Sequence, residues 1–172
     1  MTTATFNRGN IFILTGAGIS AESGIETFRD TGGIWEKNSI EDVATPEAFA
    51  KDPMRVHDFY NARRRALGAA EIAPNAAHKA LALLEERLPS RVLIVTQNID
   101  DLHECAGSQN LIHMHGELTK ARCTSCGDVR RQVEDLNVGS ICPACQTGGT
   151  LRPHIVWFGE MPFEQERTTQ AL

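Results

Sequence analysis

Ile11-Phe-Ile-Leu-Thr-Gly-Ala-Gly-Ile-Ser-Ala-Glu-Ser-Gly-Ile-Glu-Thr-Phe-Arg29 is the stretch on which the fold turns. Its apolar opening, Ile11 to Leu14, reads as a buried strand. Gly16 and Gly18 follow at once, so the strand empties into a tight turn, with a helix expected to start near Ser20. Such a turn brings backbone N–H groups close to a phosphate, and a helix N-terminus favours the negative charge. Gly16-Ala-Gly-Ile-Ser-Ala21 also fits the looser G-x-G-x-x-G/A dinucleotide pattern, with Ala21 in the third slot. Glycines after a strand also make plain turns, so the pattern needs support from elsewhere.

Bulk properties narrow the classes. A chain of 172 residues suffices for one sizeable domain, or for a domain carrying a small insertion. Hydrophobic residues make up 41% and charged residues 23%, ordinary proportions for a soluble globular protein. The net charge of −5 argues against a general binder of nucleic acid or anionic membranes, which needs a basic surface. No apolar run is long enough to span a bilayer, and Met1 to Asn10 lacks the charged start and apolar core of a secretory signal. Five cysteines, four of them in C-x-x-C pairs, fit thiolate metal ligands in a reducing compartment better than a disulfide framework. The expectation is a cytoplasmic protein with neither a nucleic-acid nor a membrane partner.

Beyond the flexible turn Asp30 to Trp35, residues 36–77 read as helical, with Thr45-Pro46 one start and Asn75 another cap. Val56, Phe59 and Ala66-Leu67 share a face there, and Tyr60 and Arg63, three apart, are neighbours on a helix. By themselves Arg63-Arg64-Arg65 read as a solvated basic face. Asn75 to Leu88 is an amphipathic helix expected to pack on the sheet, with His78 at its surface or core edge. Val92 to Val95 has the unbroken apolar character of a strand buried on both faces. In open α/β sheets the ligand crevice lies beyond the carboxyl ends of the strands, so Gln97 to Asp100 and the glycine turn are expected to line one crevice. Asp101 to Gly107 reads as a short helix ended by glycine, with Cys105 in the core. Leu111 to Leu118 reads as a strand, with His113 and His115 pointing the same way if it stays extended. Ile155 to Phe158 is a further extended run, either a core strand or an edge that accepts a peptide, and Phe163 onward opens a helix.

Cys123-Thr-Ser-Cys126 and Cys142-Pro-Ala-Cys145 give C-x2-C-x15-C-x2-C, the spacing of a four-cysteine zinc ribbon. Two glycine-bearing knuckles would present four thiolates tetrahedrally and leave no open position for a catalytic water. The metal is therefore expected to be structural.

Taken together and in this order, Gly16-Ala-Gly-Ile-Ser20, Thr27-Phe-Arg29, Thr96-Gln-Asn-Ile-Asp100, His115-Gly-Glu117, the two cysteine pairs and Arg152-Pro-His-Ile-Val-Trp-Phe-Gly-Glu160 resemble the sirtuin family of NAD-dependent protein lysine deacylases. The similarity runs from about residue 9 to the end of the chain. It implies an α/β fold: a Rossmann-like parallel sheet with helices on both faces, plus a small inserted zinc-ribbon and helical domain. Residues 1–35, 78–119 and 151–172 would form the NAD-binding part, 36–77 a helical module and 120–150 the zinc module.

The resemblance also implies roles. Ala17 and Gly18 would approach the NAD pyrophosphate, and Phe28 and Arg29 would close over the cofactor. Gln97 and Asn98 would contact the nicotinamide ribose and Asp100 the nicotinamide carboxamide, with Gly16, Ser20 and Ile99 completing the set. His115 would be the general base, a task that suits an imidazole at neutral pH. Val156, Phe158 and Gly159 would bind an acylated-lysine peptide through the backbone as an added strand. NAD would be consumed: the acyl oxygen attacks the ribose carbon bearing nicotinamide, and the products are lysine, nicotinamide and O-acyl-ADP-ribose. Tyr-x-x-Arg at Tyr60 and Arg63 resembles the pair that marks sirtuins acting on succinyl and malonyl groups, a phenol and a guanidinium fork suited to a carboxylate. Deacetylation would be retained. Nothing in the sequence sets an oligomeric state.

Glu26 stands where the family usually has proline, and Asp30 where it often has glycine. Family members also continue through further strands and a Gly-Thr-Ser loop that binds the rest of NAD. The sheet here is therefore expected to lack its C-terminal part, with half the adenosine pocket and one cleft wall absent. An open apolar edge would then favour association. The competing readings are a sirtuin-like ADP-ribosyltransferase and a non-catalytic, zinc-containing binding fragment.

Overall fold

The computed structural model describes residues 9–27 and 33–171. Strand β1 (Ile11–Thr15) runs into the single turn α1 (Gly18–Ala21). Four helices come next: α2 (Ile34–Lys37), α3 (Ile40–Val43), α4 (Pro46–Lys51) and α5 (Pro53–Leu67). They lead to α6 (Ala76–Arg87), β2 (Val92–Thr96), α7 (Leu102–Ala106) and β3 (Leu111–His113). Strands β4 (Gly116–Cys123), β5 (Val129–Arg131) and β6 (Leu151–Ile155) and helix α8 (Gln165–Ala171) complete the order.

The first three strands form a parallel sheet in the order β1-β2-β3. Val92, Ile94, Val95 and Ile112 are at most 1% exposed, as expected of strands covered on both faces. β1 is an edge of this sheet, and Leu14 on it is 56% exposed. The register places the loops at the strand ends. Thr15 pairs with Thr96, and Thr96 with His113, so all three strands end in one row. Residues 16–20, 97–100 and 114–115 therefore emerge side by side.

The helix starts obey local chemistry. Thr45 Oγ1 accepts the N–H of Ala48 at 3.0 Å ahead of Pro46, and Asn75 Oδ1 accepts that of Ala77 at 2.9 Å. Asp52, ahead of Pro53, caps α5 in the same way, accepting the Arg55 N–H at 3.0 Å. Gly107 closes α7 with φ +108°, in the left-handed region glycine tolerates. Within residues 36–77, helix ends at Leu67, and turns carry the chain to the Asn75 cap. On α6 only His78 is fully buried, and Leu83 remains 45% exposed.

Two strand expectations are corrected. Leu111 to Leu118 is not one strand: β3 ends at His113, Met114 and His115 turn, and β4 leaves for a second, antiparallel sheet of order β5-β4-β6. The break occurs where Gly116 takes φ +85° with its α-carbon against β6; a β-carbon there would lie 2.1 Å from the His154 carbonyl oxygen. The second correction concerns the run Ile155 to Phe158, which is strand only at Ile155. Pairing with β4 places β6 earlier, and Pro153 is accommodated where the register shifts between Glu117 and Ala121.

The three arginines Arg63-Arg64-Arg65 do not share a solvated face. Arg64 is 4% exposed and donates to the Leu118 carbonyl at 3.0 Å and to Asn61 Oδ1 at 2.7 Å. The Asn61 amide itself exchanges two hydrogen bonds with the Leu136 backbone, at 2.7 and 3.0 Å, and so ties α5 to the zinc module. Arg65 pairs with Asp135 at the surface. The main core lies between these helices and the second sheet and contains Val56, Phe59, Tyr60, Leu118, Ile155 and Trp157. A smaller core of Ala121, Cys123, Leu136, Cys142 and Leu151 sits under the cysteines.

Candidate functional site

Beyond the row of strand ends lies a cavity of about 510 Å³. Its walls include Ala17, Gly18, Gln97, Asn98, Ile99 and His115 from the segments just after the parallel strands. Tyr60 of α5 and Val156, Trp157, Phe158 and Gly159 beyond β6 close the other side. A second cavity of about 180 Å³ shares Ala17, Asn98 and Ile99 with the first and adds Ser20, Asp100 and Arg63. Open α/β sheets bind ligands at this end of the strands. Phe28 and Arg29 lie outside the described residues.

The glycine turn differs from expectation in one respect. α1 starts at Gly18, not Ser20, and is a single turn, so its dipole is small and the turn's own backbone is what a ligand meets. Neither Gly16 nor Gly18 has a positive φ. A β-carbon on Gly18 would meet nothing within 4 Å, whereas one on Gly16 would touch the Gln97 amide at 3.7 Å. Gly18 leaves space beside the crevice and Gly16 packs behind it.

Beneath the turn the polar side chains are bonded to one another. Ser20 Oγ donates to Asp100 Oδ2 at 3.0 Å and accepts from the Asn98 amide at 3.0 Å. Asp100 Oδ1 accepts the Leu102 N–H at 3.2 Å, while burial pushes the Asp100 carboxyl above its ordinary pKa. His78 Nε2 stands 3.5 Å from Ser20 Oγ, and His103 Nε2 3.0 Å from Thr15 Oγ1, with the two imidazoles edge to face at 4.9 Å. His78 is 0% and His103 1% exposed, which corrects the surface or core-edge placement of His78. Cys105, expected in the core, is exposed.

Burial lowers the pKa of both imidazoles, His103 from 6.5 to about 4. The unfolded chain therefore takes up protons that the folded pair refuses. The stabilisation from the neutral pair is complete above about pH 6.5 and is lost as pH falls below it, for His103 towards 4. His57 and His154 are shifted the same way by burial. Burial pulls His113 down, but the hydrogen bond and charge of Glu104, the Asn98 carbonyl and the charge of Glu117 together outweigh it, so His113 is shifted up and has the opposite sign. With four imidazoles against one, the thermal midpoint is expected to fall from pH 7 to pH 5. A flat or rising midpoint would contradict the buried neutral pair.

The extended strand expected to point His113 and His115 the same way is interrupted, because the chain turns at Met114 and His115. His113 Nε2 meets Glu104 at 2.6 Å and its Nδ1 meets the Asn98 carbonyl at 3.1 Å. His115 Nδ1 lies 3.0 Å from the Gln97 carbonyl, which can only accept, so Nδ1 carries the proton and Nε2 holds the basic lone pair. The structure thus brings His115 to the same cavity as Gln97 and Asn98.

It does not bring Tyr60 and Arg63 into one cavity. Tyr60 lines the larger, with its hydroxyl 3.1 Å from Trp157 Nε1. Arg63 lines the smaller, stacked 3.4 Å over the Phe59 ring and donating to the Phe59 carbonyl at 3.0 Å. Burial lowers the pKa of its guanidinium to about 10, still a cation at neutral pH. In the peptide-facing segment, the Val156 N–H is bonded to the His115 carbonyl at 2.9 Å and the Phe158 N–H to the Ala44 carbonyl at 3.0 Å. A peptide strand would therefore meet other backbone groups of residues 156–159. His78, His103 and Trp157 are the site-lining or supporting residues that sequence reasoning missed. His78 carried one signal, as the lone imidazole amid the alanines and leucines of α6.

Cys123, Cys126, Cys142 and Cys145 converge with all four sulfur atoms within 4.8 Å of one another. The pairs Cys123–Cys145 and Cys126–Cys142 stand at 3.7 and 3.8 Å. Four thiolates at zinc-bond length in a tetrahedron stand about 3.8 Å apart, so the donor set fits one zinc ion. The knuckles are not both glycine-bearing. Gly127 follows one pair with φ +76°, but Gln146 follows the other with φ 60°.

Comparison with known proteins places this geometry. The Sir2 family model matches residues 16–171. An NAD-dependent protein deacylase of Vibrio parahaemolyticus is 60% identical over 163 residues, covering 95% of this chain and 68% of that protein. A serine-to-alanine mutant of a Sir2 homologue, solved with ADP-ribose, superposes with a TM-score of 0.82 at 42% identity, covering 94% of this chain and 65% of that one. A Sir2 homologue solved with NAD gives a TM-score of 0.75 at 44% identity, over 93% of this chain and 61% of that one. The chain thus spans about two-thirds of the length of these relatives. With the strand-end crevice, the Ser20-Asp100-Asn98 cluster, His115 and the four-cysteine ribbon in one arrangement, the chain belongs to the Sir2 family, the sirtuins.

Proposed function

We propose that this chain carries the nicotinamide and acyl-lysine half of an NAD-dependent protein lysine deacylase that removes acetyl groups and also succinyl or malonyl groups. The observation that carries the reading is the convergence at one row of strand ends. There a buried Asp100 with its Ser20 and Asn98 partners lines the smaller cavity, and an imidazole whose tautomer is fixed by the Gln97 carbonyl lines the larger, the two cavities sharing Ala17, Asn98 and Ile99. NAD supplies the electrophilic ribose carbon. Asp100 holds the carboxamide of nicotinamide; Gln97, Asn98 and Ile99 hold the ribose; and Gly16, Ala17, Gly18 and Ser20 form the floor, with Phe28 and Arg29 as its cover. His115 takes the proton from a ribose hydroxyl. Val156, Phe158 and Gly159 receive the peptide, and Cys123, Cys126, Cys142 and Cys145 hold the structural zinc.

In this reading residues 1–35, 78–119 and 151–172 bind NAD, 36–77 shape the acyl pocket and 120–150 form the zinc module. Among the described residues no helix is long and apolar enough to cross a membrane. Four cysteines disposed as metal thiolates support a reducing, cytoplasmic setting. Calorimetric titration tests the cofactor half of the proposal: one NAD bound per chain is the expected result, and no saturable heat at millimolar NAD contradicts it.

Tyr60 and Arg63 are the proposed acyl-end residues. To reach a carboxylate in the cavity of Tyr60, the Arg63 side chain must turn away from its stacked position on Phe59. Replacing Arg63 with methionine keeps the apolar stem and removes the charge. Desuccinylation is expected to fall about tenfold or more relative to deacetylation, the worth of one charge-assisted hydrogen bond. Equal losses in kcat/KM for the two peptides would refute the acyl-end role.

A further inference from the structure

We infer that Trp157 is a positioning residue that sets acyl specificity by fixing the direction in which the Tyr60 hydroxyl donates. The inference rests on the proposed role of Tyr60 and deepens it. An indole N–H can only donate, and a phenol has one proton to give and lone pairs to accept with. Trp157 Nε1 lies 3.1 Å from the Tyr60 oxygen, so the hydroxyl accepts this bond and keeps its own proton for another acceptor. Both residues line the cavity that holds His115, and both are buried, at 2% and 4% exposure. Burial raises the Tyr60 pKa, so the phenol keeps its proton and remains a donor at neutral pH.

What makes the indole able to aim the phenol is that it cannot turn. Its backbone N–H donates to Glu160 Oε2 at 2.8 Å. The guanidinium of Arg152 lies 3.2 Å over the indole face and reaches the same Glu160 carboxylate at 2.7 and 2.9 Å. Phe49 packs against the ring at 5.3 Å. A donor held from three sides sits opposite the phenol oxygen, and the remaining hydrogen of that oxygen has its direction restricted accordingly. A carboxylate at the end of an acyl chain is a stronger acceptor for it than the methyl group of an acetyl chain, which accepts nothing.

The test is a double-mutant cycle with Tyr60→Phe, Trp157→Phe and the double variant. Each is titrated with a succinyl-lysine and an acetyl-lysine peptide, and the ratio of the two dissociation constants is the readout. A merely structural role of Trp157 would weaken both peptides together and leave the ratio unchanged. Tyr60→Phe is expected to lower the preference for the succinyl peptide about tenfold. Trp157→Phe should lower it several-fold, and the double variant no further than Tyr60→Phe alone, because the two residues act as one unit. If Tyr60→Phe lowers the ratio and Trp157→Phe does not, the inference is overturned while the reading of Tyr60 stands. If Tyr60→Phe leaves the ratio unchanged, the reading of Tyr60 fails and the inference with it.

An independent measurement leaves Trp157 in place. The chain has two tryptophans and hence two indole N–H resonances. One is expected to shift on Tyr60→Phe, and to shift more with the succinyl than with the acetyl peptide. Two indole signals indifferent to both changes would overturn the inference.

Discussion

Replacing His115 with alanine is expected to lower turnover by about 10²–10⁴-fold, the range that a positioned general base contributes, while leaving the protein folded. The imidazole sits on the turn between β3 and β4 and is only half-buried, so its loss opens no large core cavity. Its hydrogen bond to the Gln97 carbonyl contributes about 1 kcal/mol to stability, a small part of the total. Its chemistry, by contrast, has no substitute among the neighbouring walls of the cavity. Gln97 and Asn98 carry amides that do not take up a proton near neutral pH, and the Tyr60 phenol is held protonated by burial. Burial pushes the Glu160 carboxyl up, but Arg152, the Trp157 N–H and Arg122 bind it and hold its pKa below the usual value, which makes it a weaker base. The thermal midpoint of the variant should stay within a few degrees of the parent. Activity within tenfold of the parent would remove His115 from the role of base.

Removing zinc should have the larger structural consequence. The module has a core of only five buried side chains, two of them the ligands Cys123 and Cys142, and its strands β4, β5 and β6 supply little other apolar cover. Structural zinc sites of this kind contribute their binding free energy directly to folding, roughly 10–16 kcal/mol in isolated zinc-binding peptides near pH 7. Chelation, or Cys142→Ser, is therefore expected to unfold residues 120–150. The damage should not stop there. β4 and β6 are also the strands from which Leu118 and Ile155 enter the main core, and Asn61 and Arg64 anchor α5 to Leu136 and Leu118. Hydrogen exchange should show protection lost first in the module and then along α5. A chelator that released the metal but left the thermal midpoint untouched would refute a structural role.

Parts of this architecture are legible in the chain and parts are not, for identifiable reasons. Strands β1 and β2 announce themselves as unbroken apolar runs, and Thr45 and Asn75 announce their helices because a cap is a local bond. The cysteine spacing is likewise local, and it names the ligand set without any knowledge of the fold. Long-range events are hidden. The break after His113 depends on Gly116 pressing against the His154 carbonyl, and nothing near Gly116 in sequence records that approach. β6 lies at Leu151–Ile155, not over the most apolar stretch, because pairing with β4 outweighs hydrophobicity. Arg64 reads as solvent-facing beside Arg63 and Arg65, yet carbonyl and amide acceptors 54 and 3 residues away hold it inside. In the site, His115 and the segment Gln97 to Asp100 are legible from their order along the chain. The buried pair His78 and His103, and the bond from Trp157 to Tyr60, are not, since each joins segments far apart in sequence.

In the proposed reaction the crevice at the strand ends cleaves NAD with an acyl-lysine as the attacking partner. Mass spectrometry of a reaction containing NAD and an acetyl-lysine peptide tests it directly. The predicted products are nicotinamide, the deacetylated peptide and O-acetyl-ADP-ribose in equal amounts, with no nicotinamide formed when the peptide is omitted. A peptide carrying a covalent ADP-ribose would overturn deacylation in favour of transfer chemistry, and no release of nicotinamide would rule out both.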